Sequence, residues 1–348
     1  MTHIVCIGDH FILPSLFEKA FKEEVNDSSN FTFSHQQLPW PLEPFGPVGN
    51  VIEASGTEAQ LLEVLKDHQY VLSHKSPFTE KVFKAAPNLK FIGICRGGPV
   101  NVDLEAATKA GVVVTYAPGR NAQAAAEFTI ALILSSLRKI SDADKEMKAG
   151  VWRGDYFVYE KAGQELNGTT VGVIGFGAVG KIVAKILNAF GANILVHDPF
   201  ADPKEIEKLN CKAVELKELM SQSFVVTLHS RLTEKTKHLI NADNLKLMPK
   251  GALLVNTARG GLLDYSSLPA LLESGQLGGL ALDVYDEEPP SQKYPLLKSQ
   301  NVVLTPHLGG ATKQTGAVAA KIVAADLNRF LKGEKMMFVA NPQVLSKS

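Results

Sequence analysis

Five short apolar runs in the second half of the chain each lead into residues that can do chemistry. The runs are "NILVH", "FVVTL", "ALLVN", "GLALD" and "NVVL". They deliver, in chain order, Asp198, His229, Arg259, Asp283 with Glu288 just beyond, and His307. If the runs are strands of one parallel sheet, their carboxyl ends share an edge, and ligands of such sheets bind there. We therefore expect these side chains to meet at one site.

The three residue types Arg259, Glu288 and His307 suit the reduction of a 2-oxo acid or its reverse. A histidine can give a proton to a carbonyl oxygen near neutral pH, and a neighbouring carboxylate raises its pKa. An arginine can bind the carboxylate of the substrate through two parallel hydrogen bonds and polarise the adjacent carbonyl. Hydride transfer at the carbonyl carbon would need a nicotinamide cofactor.

Each of these residues also has an ordinary structural interpretation. A lone histidine in "TPHLGGAT" can cap a strand end, an isolated arginine most often forms a surface ion pair, and the carboxylates of "DEEPP" can lie in a solvated turn. Their joint occurrence at successive strand ends favours the chemical interpretation.

A glycine-rich stretch, "VGVIGFGAVG", predicts dinucleotide binding. Gly175, Gly177 and Gly180 have G-x-G-x-x-G spacing, follow a strand and open a helix, which is the context that the motif requires. The first glycine makes the turn, the second admits the pyrophosphate and the third allows close packing. Asp198 would bind the ribose hydroxyls and repel a 2′-phosphate, and no arginine follows in "DPFADP", so NAD is expected rather than NADP.

The elements that must position these residues read as two α/β units. Five strand-like runs alternate with amphipathic helices in the first third of the chain, which predicts a parallel sheet. The stretch "AQAAAEFTIALILSSLRKISDADKEMKAG" predicts one long helix, and the alternation restarts at "TTVGVI". The proline-rich segment "LPWPLEPFGPVGN" is either a plain surface loop or a pocket wall that carries Trp40 and Phe45.

Bulk composition narrows the class of protein. The chain has 348 residues, is 45% hydrophobic and 21% charged, and carries 36 basic and 36 acidic residues. These values exclude disorder and give no support for a nucleic-acid or membrane partner. Three scattered cysteines form no metal-ligand pattern, and the start "MTHIVCIGDHF" is unlike a signal peptide. We expect no metal and a cytoplasmic location.

The motifs resemble, in order and spacing, those of the D-isomer specific 2-hydroxyacid dehydrogenase family. The resemblance rests on "VGVIGFGAVG", "NTARGGLLD", "ALDVYDEEPP" and "TPHLGGAT" and covers most of the chain. It implies two Rossmann-like, doubly wound parallel-sheet domains with a cleft between them. A discontinuous substrate domain would comprise residues 1–120 and 313–348, with an NAD-binding domain at 121–312. It also implies a homodimer.

The resemblance further implies a role for each matching residue. His307 would be the acid/base, Glu288 its carboxylate partner and Arg259 the residue that binds the substrate carboxylate. Cofactor contacts would come from Gly175, Gly177, Ala178, Val179, Gly180, Asp198, His229, Thr257, Ala258 and Asp283, with Asp283 holding the nicotinamide carboxamide. The loop "CRGGPVNVD" would bind the substrate carboxylate through the amides of Gly97 and Gly98.

Two departures from the family pattern bear on the substrate. The loop "RGGPVNVD" is about two residues shorter than usual, and "HSRLT" has Arg231 where relatives have proline. Arg231 and Arg96 either bind a second anionic group of the substrate or pair with carboxylates at the rim. Hydroxypyruvate, glyoxylate and 3-phosphoglycerate are the expected candidate substrates. The alternative function is an NAD(H)-responsive regulator of the corepressor type, and a formate dehydrogenase is a lesser one.

Overall fold

Helices and strands alternate along almost the whole chain. The structure is a computed structural model that describes residues 1–65 and 67–346. The strands within that part, β1 to β12, are Thr2–Gly8, Phe31–Gln37, Tyr70–Ser73, Phe91–Ile94, Val113–Tyr116, Thr170–Ile174, Asn193–His197, Cys211–Ala213, Val225–Leu228, Ala252–Asn256, Leu277–Leu282 and Val302–Leu304. The α-helices, α1 to α12, are Pro14–Glu24, Glu58–Leu65, Glu80–Ala85, Leu104–Lys109, Ala122–Leu137, Ile140–Lys148, Ala178–Ala189, Pro203–Glu207, Leu216–Gln222, Ala242–Leu245, Leu268–Glu273 and Lys313–Leu331.

The chain divides into two compact units. The first comprises residues 1–121 and 311–348, and the second comprises residues 122–310. Each unit contains one sheet, and all strand pairs within the two sheets are parallel. The predicted fold class, with two parallel α/β sheets, is confirmed.

Both sheets are doubly wound. The first has the strand order β2-β1-β3-β4-β5, and the second has the order β12-β11-β10-β9-β6-β7-β8. The direction of winding reverses beside the first strand of each sheet, between β1 and β3 and between β6 and β9. These switch points leave a crevice beyond the strand ends, which is where ligands bind in this architecture.

Apolar side chains cover both faces of each sheet. Strands such as β10, "ALLVN", are buried along their whole length, which is expected when helices cover both faces of a parallel sheet. Two apolar cores flank the sheet of the second unit, and two more flank that of the first. No helix in the described part of the chain combines the length and the hydropathy that a membrane crossing requires.

The prediction of one long helix after residue 121 was wrong. Helix α5 ends at Leu137, and α6 begins at Ile140. Lys139 lies between them with a left-handed φ of 54°, which interrupts the helical path. The break leaves the carbonyl of Leu137 free to accept a hydrogen bond of 3.1 Å from the amide of Gln164.

The segment after α12 packs on the first unit through buried polar contacts. Asp326 is fully buried, and its carboxylate accepts hydrogen bonds from the amides of Met337 (2.8 Å) and Phe338 (2.9 Å) and from Arg329 (2.7 Å). Further along, the side chain of Asn341 accepts a bond of 2.9 Å from the amide of Val114 in β5. One buried carboxylate therefore fixes the turn that returns the chain to the sheet.

We predict that Asp326→Ala destabilises the protein by about 3–5 kcal/mol, because it leaves two backbone amides and a guanidinium without the buried carboxylate that accepts from them. Urea denaturation measures the free energy of unfolding. Lys321→Ala on the exposed side of the same helix is the control and should change it by less than about 0.5 kcal/mol. A loss of under about 1 kcal/mol in Asp326→Ala would contradict the role given to this carboxylate.

Candidate active site

The residues predicted to act together in the second unit all follow strands of its single sheet. Asp198 follows β7, His229 follows β9, Arg259 comes shortly after β10, Asp283 follows β11 and His307 follows β12. Because these strands are parallel, their carboxyl ends lie at one edge of the sheet. The structure therefore places these residues along the same edge, as their spacing indicated.

His307 and Glu288 form a direct pair. The Nδ1 atom of His307 lies 2.7 Å from Oε2 of Glu288, and the histidine side chain is half exposed. The hydrogen bond to Glu288 raises the pKa of His307 above its ordinary value, against the opposing effect of burial. Burial raises the pKa of Glu288, but the hydrogen bond and charge of His307, the amide of Tyr285 and the charge of Arg259 together outweigh burial, and the net shift is downward. The pair therefore favours a carboxylate beside an imidazole that holds its proton.

The loop that carries His307 is fixed by the buried carboxylate of Asp283. The side chain of Asp283 accepts hydrogen bonds of 2.7 Å each from the amides of Leu308 and Gly309 and from the hydroxyl of Thr305. His307 lies between these contacts with a left-handed φ of 54°, a conformation that a non-glycine residue holds only when its surroundings impose it. Asp283 thus positions the histidine, a role that sequence reasoning missed.

Tyr285 joins the Glu288 loop to the His307 loop. Its amide donates to Oε1 of Glu288 (3.1 Å), and its hydroxyl donates to the carbonyl of Thr305 (2.9 Å). The aromatic residue in "ALDVYDEEPP" was the one feature of the sequence that could have drawn attention to Tyr285. Nothing in that pattern indicated the two contacts. Tyr285 therefore orients the oxygen of Glu288 that does not contact the histidine and holds the histidine loop at the same time.

A glycine next to Arg259 allows its segment to approach the loop of Tyr285 and Glu288 closely. A Cβ atom on Gly260 would overlap the carbonyl of Tyr285, so only glycine permits this close approach. Arg259 is exposed, and Nη1 donates to the carbonyl of Ala258 (2.6 Å). Its positive charge contributes to the lowered pKa of Glu288. The guanidinium lies near the His307–Glu288 pair and makes no ion pair with the described residues.

The glycine turn after β6 leaves room at the start of α7. Gly175 has φ of 96°, and a Cβ atom there would come within 2.6 Å of the backbone of His229 and Ser230. A Cβ atom on Gly180 would overlap the carbonyl of Gly175, whereas one on Gly177 would meet nothing within 4 Å. The open side of the turn therefore faces away from the protein, at a helix N-terminus that suits a pyrophosphate.

Ala178 and Val179 form the first turn of α7, where backbone amides point out of the helix. Asp198 lies beside this turn, and its carboxylate accepts hydrogen bonds from the amides of Phe176 (2.7 Å) and Phe200 (2.9 Å). A carboxylate held in this way retains further lone pairs for hydroxyl groups. The glycine turn, the helix start and the acid together fit a dinucleotide.

The remaining predicted cofactor residues line the same edge. Burial lowers the pKa of His229 to about 3, so its ring is neutral, and Nε2 is hydrogen-bonded to Thr227 (3.0 Å). The hydroxyl of Thr257 is hydrogen-bonded to that of Thr129 in α5 (2.7 Å). Ala258 follows directly, with its amide bound to the side chain of Asn256 (3.0 Å). Thr129 is therefore a supporting residue that no motif in the sequence indicated.

The predicted substrate residues Arg96, Gly97 and Gly98 lie in the first unit, after β4. Both glycines are exposed, and their amides have no hydrogen-bond partner within residues 1–65 and 67–346. Arg96 pairs with Glu53 through a contact of 2.6 Å. In the second unit, Arg231 is exposed, and its guanidinium contacts no acceptor in the described residues.

Comparisons with known proteins show which family the chain resembles. Residues 130–309 match the model of the D-isomer specific 2-hydroxyacid dehydrogenase NAD-binding domain. The chain is 40% identical over 276 residues to a D-3-phosphoglycerate dehydrogenase of Archaeoglobus fulgidus, covering 79% of this chain and 52% of that protein. It is also 40% identical over 267 residues to a glyoxylate reductase of Thermofilum pendens, covering 76% and 78% of the two chains. The chain thus spans about half the length of the phosphoglycerate dehydrogenase it matches.

The fold has a solved counterpart. A D-2-hydroxyisocaproate dehydrogenase structure superposes with a TM-score of 0.80 and 25% identity, covering 98% of this chain and all of that one. The prediction of NAD as the cofactor is confirmed by the matched domain model, which is that of an NAD-binding domain. The chain belongs to the D-isomer specific 2-hydroxyacid dehydrogenase family.

Proposed function

We propose that the protein is an NAD-dependent dehydrogenase that interconverts a D-2-hydroxy acid and the corresponding 2-oxo acid. The observation that carries this proposal is the 2.7 Å contact between His307 and Glu288 at the edge of the NAD-binding sheet, with the charge of Arg259 close by. When bound, NAD accepts or supplies the hydride. The D stereochemistry rests on family membership.

His307 moves the proton in this proposal. In reduction, the protonated imidazole donates to the oxygen of the 2-oxo group, and in oxidation the neutral imidazole accepts the proton of the hydroxyl. Glu288 stabilises the imidazolium and, because it binds Nδ1, leaves Nε2 to face the substrate.

Arg259 binds the substrate carboxylate in the same proposal. Its guanidinium has free donors, and a planar fork matches a carboxylate better than an ammonium does. The exposed amides of Gly97 and Gly98 are proposed as further donors to that carboxylate. This arrangement would hold the carbonyl carbon in a fixed orientation, which contributes to catalysis by placing the reacting groups together.

A homodimer is also proposed. The segment after α6 exposes three aromatic side chains, Trp152 (82%), Phe157 (93%) and Tyr159 (91%). Aromatic side chains gathered on a surface mark sites of association.

Replacement of the histidine tests the proton-transfer role. His307→Ala should lower kcat by about 10²–10⁴-fold, the usual contribution of a general acid, while the Kd for NADH changes little. Stopped-flow turnover with hydroxypyruvate and fluorescence titration of NADH give the two quantities. A collapse of NADH affinity would show that His307 is a structural residue. Normal NADH binding by a wild-type protein that reduces no 2-oxo acid would favour the regulator.

The raised pKa of His307 predicts the pH dependence of reduction. The rate requires the protonated imidazole, so kcat/KM for a 2-oxo acid should fall as pH rises through the folded-state pKa of His307. Glu288→Gln removes the charge that raises this pKa, and the falling limb should then move to lower pH. Initial rates measured from about pH 5 to about pH 10 give both profiles. An unshifted limb in Glu288→Gln would assign the titration to another group.

Asp198 should determine the preference for NADH over NADPH. Asp198→Ala removes a carboxylate that would repel a 2′-phosphate, so the ratio of kcat/KM values for the two cofactors should fall by about tenfold or more, equivalent to about 1.4 kcal/mol. Asp198→Asn is the matched variant, because one oxygen of the amide still accepts a backbone hydrogen bond. A ratio that stays constant in both variants would place the selectivity elsewhere.

A further inference from the structure

The carboxyl ends of the strands in the first sheet carry a second set of charged residues. Asp9 follows β1, His74 and Lys75 follow β3, Arg96 comes after β4, and Arg120 comes after β5. Strands β1 and β3 are the neighbours at which the winding of this sheet reverses. We call Lys75, Arg96 and Arg120 the cationic cluster. It lies where a doubly wound sheet binds its ligand.

Asp9 and His74 form a buried hydrogen-bonded pair next to the cluster. Nδ1 of His74 donates to Oδ2 of Asp9 (2.6 Å), while Oδ1 accepts from the amides of Phe11 and Ile12 (2.9 Å each). Burial lowers the pKa of His74 to about 4, and the positive charges of Arg120 and Lys75 act in the same direction. The pair therefore consists of a neutral histidine and a carboxylate whose hydrogen bonds are largely used within the protein.

Glu53 neutralises only part of the cluster. A single oxygen, Oε2, accepts from Arg96 (2.6 Å) and from Lys75 (3.0 Å). Burial raises the pKa of Glu53, but the charges of Arg96 and Lys75 lower it to about 2 overall, so it is ionised near neutral pH. One carboxylate thus pairs with two cations, and in the described residues it forms no ion pair with Arg120.

Arg120 is a cation that forms no ion pair with an acid in the described part of the chain. Its Nε and Nη1 atoms are buried and find no hydrogen-bond acceptor among residues 1–65 and 67–346, although the residue as a whole is only half-buried. Nη1 of Arg96 is buried and unpartnered within the same described part of the chain. The three positive charges of the cationic cluster are opposed by the negative charges of Glu53 and Asp9. An unpaired guanidinium is unfavourable in such a place unless an anion binds beside it.

The proline-rich segment "LPWPLEPFGPVGN" forms an aromatic wall beside this cluster, which favours the pocket-wall interpretation over a plain loop. The indole of Trp40 stacks on His74 at 6.2 Å with an angle of 16°, and Phe45 lies 5.0 Å from Trp40. The ammonium of Lys75 lies 4.2 Å from the centre of the Phe45 ring. Apolar walls lower the local dielectric constant and strengthen the attraction between the cations and an anion.

We propose that the cationic cluster binds a second anionic group of the substrate, so that the enzyme prefers 2-hydroxy acids with two anionic groups. The group is a phosphate ester or a second carboxylate, since both present oxygens to guanidinium and ammonium donors. The inference rests on the proposed function, in which Arg259 and the amides of Gly97 and Gly98 take the first carboxylate. Arg120 is the residue that distinguishes this pocket from an internally neutralised ion-pair network.

Direct binding tests the pocket without turnover. The chain has two tryptophans, so Trp152→Phe leaves Trp40 as the reporter beside the cluster. In this background we expect 3-phosphoglycerate or malate to change the fluorescence and to bind at least about tenfold more tightly than lactate, which has one anionic group. The ratio of the affinities for 3-phosphoglycerate and malate identifies the phosphate or the carboxylate as the preferred group. Equal affinity for all three acids would overturn the proposal.

Variants of the cluster connect binding to Arg120. Arg120→Met should weaken binding of the preferred dianion at least about tenfold, and Arg120→Lys should restore part of the loss, because it keeps the charge. Lys109→Met is the matched control, since Lys109 is exposed in the same unit and pairs with Glu105 outside the cationic cluster. Thermal melts identify any variant that does not fold. If Arg120→Met does not fold, Lys75→Met provides the same comparison of dianion binding. Undiminished dianion binding in folded Arg120→Met and Lys75→Met would refute the pocket.

Kinetics separate this inference from the proposed function. Arg120→Met should lower kcat/KM for 3-phosphohydroxypyruvate or oxaloacetate at least about twentyfold more than for hydroxypyruvate. If the wild type reduces hydroxypyruvate as efficiently as both dianions, this inference fails and the proposed function stands. If no 2-oxo acid is reduced but dianion binding still depends on Arg120, the proposed function fails and the anion pocket stands.

Discussion

The arrangement at the edge of the NAD-binding sheet depends on one buried carboxylate. Asp283 is 1% exposed and accepts three hydrogen bonds from the loop around His307. Because these bonds lie on both sides of the histidine, they hold its backbone in a left-handed conformation and direct its ring at Glu288. Without them the loop would have no reason to keep that conformation, and the 2.7 Å contact between the two side chains would be lost. A residue that the family pattern assigns to the cofactor thus also positions His307, the proposed acid/base.

The two units use the same architecture with different charges at their switch points. In the second unit, the strand ends at the switch point carry a glycine turn and a neutral histidine, His229, which suit a backbone-bound pyrophosphate. In the first unit, the corresponding strand ends carry Asp9 and His74 beneath an excess of positive charge. A parallel sheet determines only where a ligand can bind, whereas the side chains after each strand determine its charge and size.

Much of the fold could be predicted because local patterns dominate it. Continuous apolar strands alternating with amphipathic helices specify buried parallel sheets, and a glycine motif between a strand and a helix specifies a dinucleotide turn. The prediction failed at Lys139, where the helical pattern continues but the chain turns. The carbonyl of Leu137 bonds there to Gln164, a residue well beyond the helix, and a local pattern carries no information about such a contact.

The sequence by itself determined the family, the fold class, the cofactor and the identity of the candidate acid/base set, because spacing along strands and turns is a local property. Only the tertiary structure decided how these groups are held and charged. Asp283, Tyr285 and Thr129 act through residues distant in the chain, and the contrast between Arg96, which pairs with Glu53, and Arg120, which pairs with no described acid, depends on burial and on neighbours. Those quantities arise only when separate strand ends meet at one edge.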